Sequence, residues 1–156
     1  MTETGMDHTG GGDASTFDQD AYLERVRARD AFNALLGLEV VSAAPERAET
    51  RVRVTEAHLN FFGVCHGGLV FSVADAAFGI AANAGGRLAA MIDAHLTMTA
   101  PARPGDQLVA VSERVSESRR LAVYRVIVRK CGADGAPDAV VGAFTGTVYV
   151  RDGPPP

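Results

Sequence analysis

A carboxylate within an apolar run is the side chain of this sequence best suited to chemistry. Asp75 lies in the run 73–78, where every other residue is apolar. Carboxylates are seldom buried without a partner, so two interpretations stay open. Asp75 is either a structural carboxylate paired with an arginine, or a catalytic carboxylate whose basicity is raised by desolvation. In the second case it acts as a general base or as a nucleophile.

Two glycines precede this carboxylate, at the start of a predicted helix. The segment is Cys65-His66-Gly67-Gly68, and glycine is a poor helix former. Its use here indicates that a ligand approaches the backbone closely. The free N–H groups of a helix N-terminus stabilise a polarised carbonyl or a developing oxyanion. An ordinary junction between a loop and a helix is the alternative, and the sequence leaves it open.

The spacing of these two features limits how they can act together. Gly67 and Asp75 are eight residues apart in one predicted helix, which corresponds to about 12 Å of axial rise. One substrate carbonyl cannot contact the Gly67 N–H and also lie within reach of Asp75 of the same chain. If both act on one bond, two chains must contribute. The catalytic interpretation therefore predicts a homodimer with two shared active sites.

The elements that must position these residues are visible in the hydrophobic pattern. A first helix is predicted over 18–36, with Asp18 as N-cap and Gly37 closing it, and a central helix over 66–84. Strands are predicted at 38–44, 49–55, 88–100, 107–117, 120–131 and 138–151. The central helix is apolar on nearly all sides and must be enclosed, and the short turns favour antiparallel pairing. The expected class is α+β, a long curved antiparallel sheet wrapped around a central α-helix, with an N-terminal helix.

Length and composition fit one globular domain. The chain has 156 residues, of which 47% are apolar and 22% charged, values typical of such domains. We predict a single domain over 17–151, between a disordered tail at 1–16 and a frayed C-terminus at 152–156. The net charge of −4 argues against a nucleic-acid partner. The stretch 67–86 carries Asp75, whose insertion into a bilayer would cost roughly 2.5–3.5 kcal/mol, so no membrane partner is expected.

Other chemistries find less support in the sequence. No signal-peptide pattern opens the chain, so a cytoplasmic location is expected. His58, His66 and His95 lack tight metal-ligand spacing with Asp75, and no metal is expected. A Cys–His hydrolase is a further candidate, but Cys65 and His66 are sequence neighbours, which rarely face each other as a dyad requires. No glycine-rich phosphate loop occurs, and no redox cofactor is expected.

The residues from Asn60 to Phe78 form a long, specific pattern, Asn-x5-His-Gly-Gly-x6-Asp-x2-Phe. It resembles the signature of hotdog-fold acyl-CoA thioesterases of the phenylacetic-acid-degradation type, in the 4-hydroxybenzoyl-CoA thioesterase superfamily. The order of predicted elements extends the resemblance over roughly 20–151. It implies hydrolysis of acyl-CoA to a free acid and CoA, with no cofactor beyond the coenzyme A of the substrate. It also implies a dimer of hotdog dimers, a homotetramer.

The resemblance assigns roles residue by residue. It implies that Asp75 is the base or nucleophile and that the Gly67 N–H polarises the thioester carbonyl. It implies a positioning role for His66 and a water- or substrate-orienting role for Asn60. Two positions depart from the family pattern. One relative has a serine where this chain has Asp93, and many members have an arginine where this chain has Ala100, which puts a common nucleotide contact in doubt.

The substrate contacts are less specific in sequence. Arginine forks match phosphate oxygens, so a basic contact to CoA is expected, although a solvated strand face would contain the same residues. The candidates for binding substrate or CoA are Gly68, Arg103, Arg119 and Arg120. Aromatic side chains near the motif suit an aryl or phenylacetyl group, or belong to the core. They are Phe61, Phe62, Phe71 and Phe78.

Two other functions compete with hydrolysis. One is an acyl-thioester hydratase or dehydratase of the same fold, which would use a different Asp/His arrangement from the spacing that runs from Asn60 to Asp75. The other is a non-catalytic acyl-CoA-binding protein. A pure binder gains nothing from a carboxylate in an apolar helix, so Asp75 argues against it.

Overall fold

The computed structural model describes residues 17–86, 88–131 and 137–151 of the chain. The predicted tail at 1–16 and the predicted frayed end at 152–156 lie outside the described residues. The helices are α1 (Gln19–Arg29), α2 (Ala31–Leu35) and α3 (Gly67–Asn83), and the strands are β1 (Glu39–Ala44), β2 (Arg47–Arg53), β3 (Leu88–Met98), β4 (Gln107–Glu117), β5 (Leu121–Cys131) and β6 (Pro137–Arg151).

The strands form one antiparallel sheet in the order β1-β2-β4-β5-β6-β3. This confirms the predicted sheet, and each predicted strand agrees with an observed one to within two residues at either end. Edge strand β3 follows α3 in the chain but pairs with β6, so the sheet closes over the helix by a crossover. The two edges of the sheet are therefore β1 and β3.

The central helix α3 packs against all six strands. Its buried face includes Phe78, whose ring lies 5.5 Å from that of Tyr124 and 5.6 Å from that of Phe144. A side chain at Gly146 would collide with this cluster, because its Cβ would lie 2.8 Å from the Phe144 ring and 2.9 Å from the Phe78 ring. Enclosure of the helix by the sheet is thus confirmed. No helix in the described ranges is long and apolar enough to cross a membrane.

The prediction of one first helix over 18–36 is wrong, because the helix is interrupted at Asp30 and the segment forms two helices. The N–H of Asp30 closes α1 on the Val26 carbonyl at 3.0 Å, while its carboxylate accepts from the Asn33 N–H at 3.0 Å and begins α2. An aspartate that caps a new helix competes with continuation of the old one. The break turns α2 so that Asn33 is buried.

Helix α1 is fastened to α3 by one buried hydrogen bond. The Tyr22 hydroxyl donates to the Ile80 carbonyl at 3.0 Å, and burial raises the pKa of Tyr22 to about 12. A second contact fixes α1 to the edge of the sheet, since Arg27 donates to the Val40 carbonyl at 2.9 Å. The two N-terminal helices therefore form a wall beside the middle of α3.

Helix α3 begins at Gly67 because the side chain of His66 caps it. His66 Nδ1 accepts the Gly68 N–H at 2.8 Å, which places the proton of the neutral imidazole on Nε2. The cap requires a glycine at 68, since a Cβ there would lie 2.8 Å from His66 Nδ1. The second half of the Gly-Gly pair thus has a structural reason that the sequence did not show.

We expect two glycine-to-alanine changes in α3 to have different effects on stability. A Cβ at Gly79 meets no atom within 4 Å, so Gly79→Ala should stabilise the fold by about 0.5–1 kcal/mol through helix propensity. Gly68→Ala displaces the His66 cap, so its free energy of unfolding should lie about 1–2 kcal/mol below that of Gly79→Ala. Urea unfolding at one protein concentration measures both. Equal free energies of unfolding would show that the cap contributes nothing.

Candidate active site

The N-terminus of α3 presents one free backbone donor. The Gly67 N–H has no hydrogen-bond partner among the described residues, as expected for the first turn of a helix. The Gly68 N–H is taken by His66 and the Leu69 N–H by the His66 carbonyl at 3.0 Å. The positive end of the helix dipole adds to the field at this point. Gly67 is therefore the donor available to an oxyanion, whereas Gly68, a predicted substrate contact, has its N–H engaged.

Asn60 shapes the loop that leads into this helix. Its Oδ1 accepts from the Phe62 N–H at 2.9 Å and the Val64 N–H at 3.4 Å, and its own N–H donates to the Val64 carbonyl at 2.9 Å. The side-chain amide nitrogen makes no hydrogen bond to any described residue. Asn60 thus has a structural role that the sequence did not indicate, and its side-chain NH2 group is left to donate to a water or a substrate.

Asp75 lies in the middle of α3, half-buried and unpaired. Its carboxylate forms neither a hydrogen bond nor an ion pair with any described residue. Within that part of the chain, this excludes the structural carboxylate held by an arginine. Burial raises the pKa of Asp75 above its usual value, and the negative charge of Asp30 raises it further. Both effects favour a carboxylate that accepts protons more readily than an ordinary aspartate.

Asp75 faces a cavity of about 570 Å³ between the N-terminal helices, α3 and the β3 edge of the sheet. A second cavity, of about 300 Å³, lies along the first turns of α3. Phe32 and Ser72 line both, so the two adjoin along the helix. Sequence reasoning missed the contribution of α1 and α2 to these cavities. The Asp30-x-x-Asn33 spacing, typical of a helix N-cap, is the signal that could have revealed it.

Asp93, one of the two positions that depart from the family pattern, does not line the Asp75 cavity. It is exposed on β3 opposite Thr147. The neighbouring residues Phe144 and Val148, which alternate with Thr147 along β6, face the core. Within one chain, the second carboxylate at the Asp75 cavity is therefore Asp30 and not Asp93.

The predicted CoA-binding arginines lie at opposite ends of β4. Arg103 lies in the turn before the strand, where its backbone N–H donates to the Asp106 carboxylate at 2.9 Å. Arg119 and Arg120 lie in the hairpin after it, with the Arg120 guanidinium 6.0 Å from the centre of the Tyr149 ring. A strand of 11 residues is about 35 Å long. One chain therefore does not bring these arginines to the same phosphate group.

The Cys65 thiol is not an available nucleophile. The residue is buried, and desolvation raises the pKa of its thiol to about 11. A thiol with that pKa stays protonated at neutral pH, and the thiolate is the reactive form. In the described ranges, no three His, Cys, Asp or Glu side chains cluster in a way that could hold a metal ion.

Comparison with known proteins places this geometry in a family. A family model described as "Thioesterase superfamily" matches residues 62–132. Acyl-coenzyme A thioesterase PaaI of Escherichia coli (strain K12) is 32% identical over 97 residues, which is 62% of this chain and 69% of that protein.

Solved structures agree with that placement. The TT0310 protein of Thermus thermophilus is 37% identical with a TM-score of 0.71, covering 78% of this chain and 97% of that one. The E. coli PaaI protein from the phenylacetic acid degradation operon gives a TM-score of 0.78 at 26% identity, over 86% and 94% of the two chains. The curved sheet around α3 is thus a hotdog fold, and this chain belongs to the thioesterase superfamily.

Proposed function

We propose that the protein hydrolyses acyl-CoA thioesters to a free acid and CoA. The observation that carries this proposal is the half-buried, unpaired Asp75 facing a cavity, on the helix that presents the free Gly67 N–H. Membership of the thioesterase superfamily supports it. The match to a relative named as an acyl-CoA thioesterase extends over most of that relative's length and adds to the support.

In the proposed reaction, Asp75 removes a proton from water as the water oxygen attacks the thioester carbon. The carbonyl oxygen becomes an oxyanion that accepts a hydrogen bond from the Gly67 N–H. When the tetrahedral intermediate collapses, the C–S bond breaks and the CoA thiolate leaves with the electron pair. Direct attack by the Asp75 carboxylate would give an acyl-enzyme anhydride, which water then hydrolyses.

The active site is proposed to be shared between two chains. On α3, Gly67 and Asp75 are about 12 Å apart along the axis, so one carbonyl cannot reach both within a chain. Edge strand β3 offers a surface for the partner, because it carries exposed apolar side chains without a neighbouring strand. Their exposed fractions are 46% for Met91, 60% for Ile92 and 46% for Met98. Such an edge is a ready template for pairing with another chain.

The acyl group is proposed to be of the aryl or phenylacetyl type. Of the four aromatic side chains near the motif, Phe78 belongs to the core and the Phe71 ring packs on Phe144. Phe61 and Phe62 are exposed, and their rings contact each other at 4.0 Å. The aromatic ring best placed for an acyl group is that of Phe32, which borders both cavities. An aryl group stacks on such a ring more favourably than a flexible chain does.

Arg103 is proposed to contact the phosphates of CoA from the chain that supplies Gly67. It follows Ala102, whose carbonyl accepts the Cys65 N–H at 2.9 Å, and Cys65 lies two residues before Gly67 in the sequence. Arg119 and Arg120, at the far end of β4, contact the same CoA only if they come from a partner chain.

Replacing the base tests the chemistry. Asp75→Asn keeps the shape of the side chain and removes its basicity, so kcat should fall by about 10²–10⁴-fold. Asp20→Asn, an exposed carboxylate in the first turn of α1, is the matched control and should leave kcat unchanged. In the wild type, kcat/KM should decline as pH falls through a value above that of an ordinary aspartate, because only ionised Asp75 accepts a proton and its pKa is raised. Full activity in folded Asp75→Asn would refute its role.

Mixing two inactive variants tests the shared site. In Gly67→Val the new Cβ lies 3.0 Å from the Met98 sulfur, a flexible neighbour, so the loss should fall on activity more than on stability. Asp75→Asn and Gly67→Val are refolded together, and native mass measurement verifies mixing and distinguishes dimers from tetramers. Random pairing makes half of the dimers mixed, each with one intact site, so about a quarter of wild-type activity should return. No gain over the parents would contradict sharing.

A matched pair of substrates tests the acyl group. With a thiol-detecting dye, kcat/KM for phenylacetyl-CoA should exceed that for octanoyl-CoA, which has the same number of acyl carbons, by about tenfold or more. Phe32→Leu should narrow that ratio, because it removes the ring. Hydroxyphenylacetyl- and benzoyl-CoA complete the panel. Equal rates would contradict the aryl proposal, and binding without thiol release would favour a non-catalytic acyl-CoA-binding protein.

A further inference from the structure

We propose that Asp30, at the break between α1 and α2, is a positioning residue whose fixed negative charge favours transfer of the water proton to Asp75. This inference rests on the proposed hydrolysis. Asp30 and Asp75 line the same cavity of about 570 Å³, one from the N-terminal wall and one from α3. Asp30 lies outside the motif that identified the site, and the sequence pattern placed it inside a continuous helix.

Asp30 is held in one orientation by three hydrogen bonds. Its Oδ1 accepts the Asn33 backbone N–H at 3.0 Å, and its Oδ2 accepts the Asn33 side-chain N–H at 2.6 Å. Its own N–H donates to the Val26 carbonyl at 3.0 Å. Asn33 is itself buried, so the carboxylate cannot swing away from the cavity without breaking a buried contact.

Helix capping alone does not explain a charge at this position. Asparagine and serine cap helices about as well as aspartate does, and α2 has only five residues to benefit from a negative N-terminus. The same carboxylate lies at the C-terminal end of α1, where a negative charge is unfavourable. The position therefore has a charge that the local backbone does not need.

The other charged and titratable groups facing the cavity belong to α1. They are Tyr22, Arg25 and Arg29. Tyr22 stays neutral because burial raises its pKa to about 12, and Arg25 lies over the Tyr22 ring at 5.5 Å. Strands β3 and β6 contribute only uncharged residues to the lining of this cavity.

Positive charge on the two arginines is of the sign that favours an ionised Asp75, whereas burial and the Asp30 charge oppose it. Burial and Asp30 prevail, since together they raise the pKa of Asp75. When Asp75 accepts a proton from water, it loses the negative charge that Asp30 repels. The repulsion is therefore relieved in the proton-transfer step and favours it.

The test removes the charge and keeps the cap. Asp30→Asn and Asp30→Ser both retain a capping oxygen for α2. The matched control is Asp18→Asn, because Asp18 also caps a helix, accepting the Ala21 N–H at 3.0 Å, and does not line the Asp75 cavity. On the acid limb of the pH profile, kcat/KM of both Asp30 variants should exceed the wild-type value by about two- to tenfold. The Asp18→Asn profile should superimpose on that of the wild type.

A second readout does not depend on activity. In the unliganded protein labelled with ¹³C-aspartate, the Asp75 carboxyl signal is assigned by its loss in Asp75→Asn, and its titration midpoint is followed by NMR. The midpoint should fall in Asp30→Asn and in Asp30→Ser and stay constant in Asp18→Asn. An unchanged midpoint in both folded Asp30 variants would overturn the inference even if thioester hydrolysis is demonstrated. If the midpoint falls in the Asp30 variants but the wild type hydrolyses no acyl-CoA, the proposed function is overturned instead.

Discussion

The structure depends on enclosing an apolar helix that carries one carboxylate. Helix α3 contributes Phe78 and its neighbours to the core on the sheet side, and that burial is a large favourable term in a domain of this size. Asp75 shares this helix and lies at the edge of the buried face. The free energy gained by the apolar side chains holds the carboxylate in a poorly hydrated place, where its basicity rises.

The N-terminal helices form the part of the Asp75 cavity that the sheet does not supply. The sheet wraps around α3, while α1 and α2 line the cavity that Asp75 faces. Tyr22 fixes α1 to α3 through the Ile80 carbonyl. Asp30 redirects the chain at the start of α2, and Phe32 of that helix lines the same cavity as Asp75. A segment that precedes the signature motif thus forms one wall of the cavity and supplies its second carboxylate.

Sequence reasoning located α3 and the six strands because their signals are periodic and long. Residues 67–83 are too apolar for a surface helix. Apolar and polar residues alternate along the strands, and turn-forming residues mark where the strands end. The interruption of the helix at Asp30 was not predicted, because it depends on one hydrogen bond between a side chain and a nearby backbone N–H. The apolar pattern continues across this position without a change.

The site was predictable in part for similar reasons. Gly67 and Asp75 are on one helix, so their separation follows from helix geometry alone. The engagement of the Gly68 N–H by His66, and of Asn60 within its own loop, depends on side-chain rotamers that no spacing specifies. The separation of Arg103 from Arg119 depends on strand length and topology, and it appears only once β4 is placed.

The burial of Cys65 has a consequence for an enzyme whose product is a thiol. CoA disulfide, the oxidised form of that product, exchanges with protein cysteines: the cysteine thiolate attacks a disulfide sulfur, a mixed disulfide forms and one CoA thiolate leaves. Cys65 is adjacent in sequence to the helix cap, but its thiol is buried and stays protonated at neutral pH. The fold therefore keeps this thiol from exchange with CoA disulfide, although it lies one residue from the helix cap.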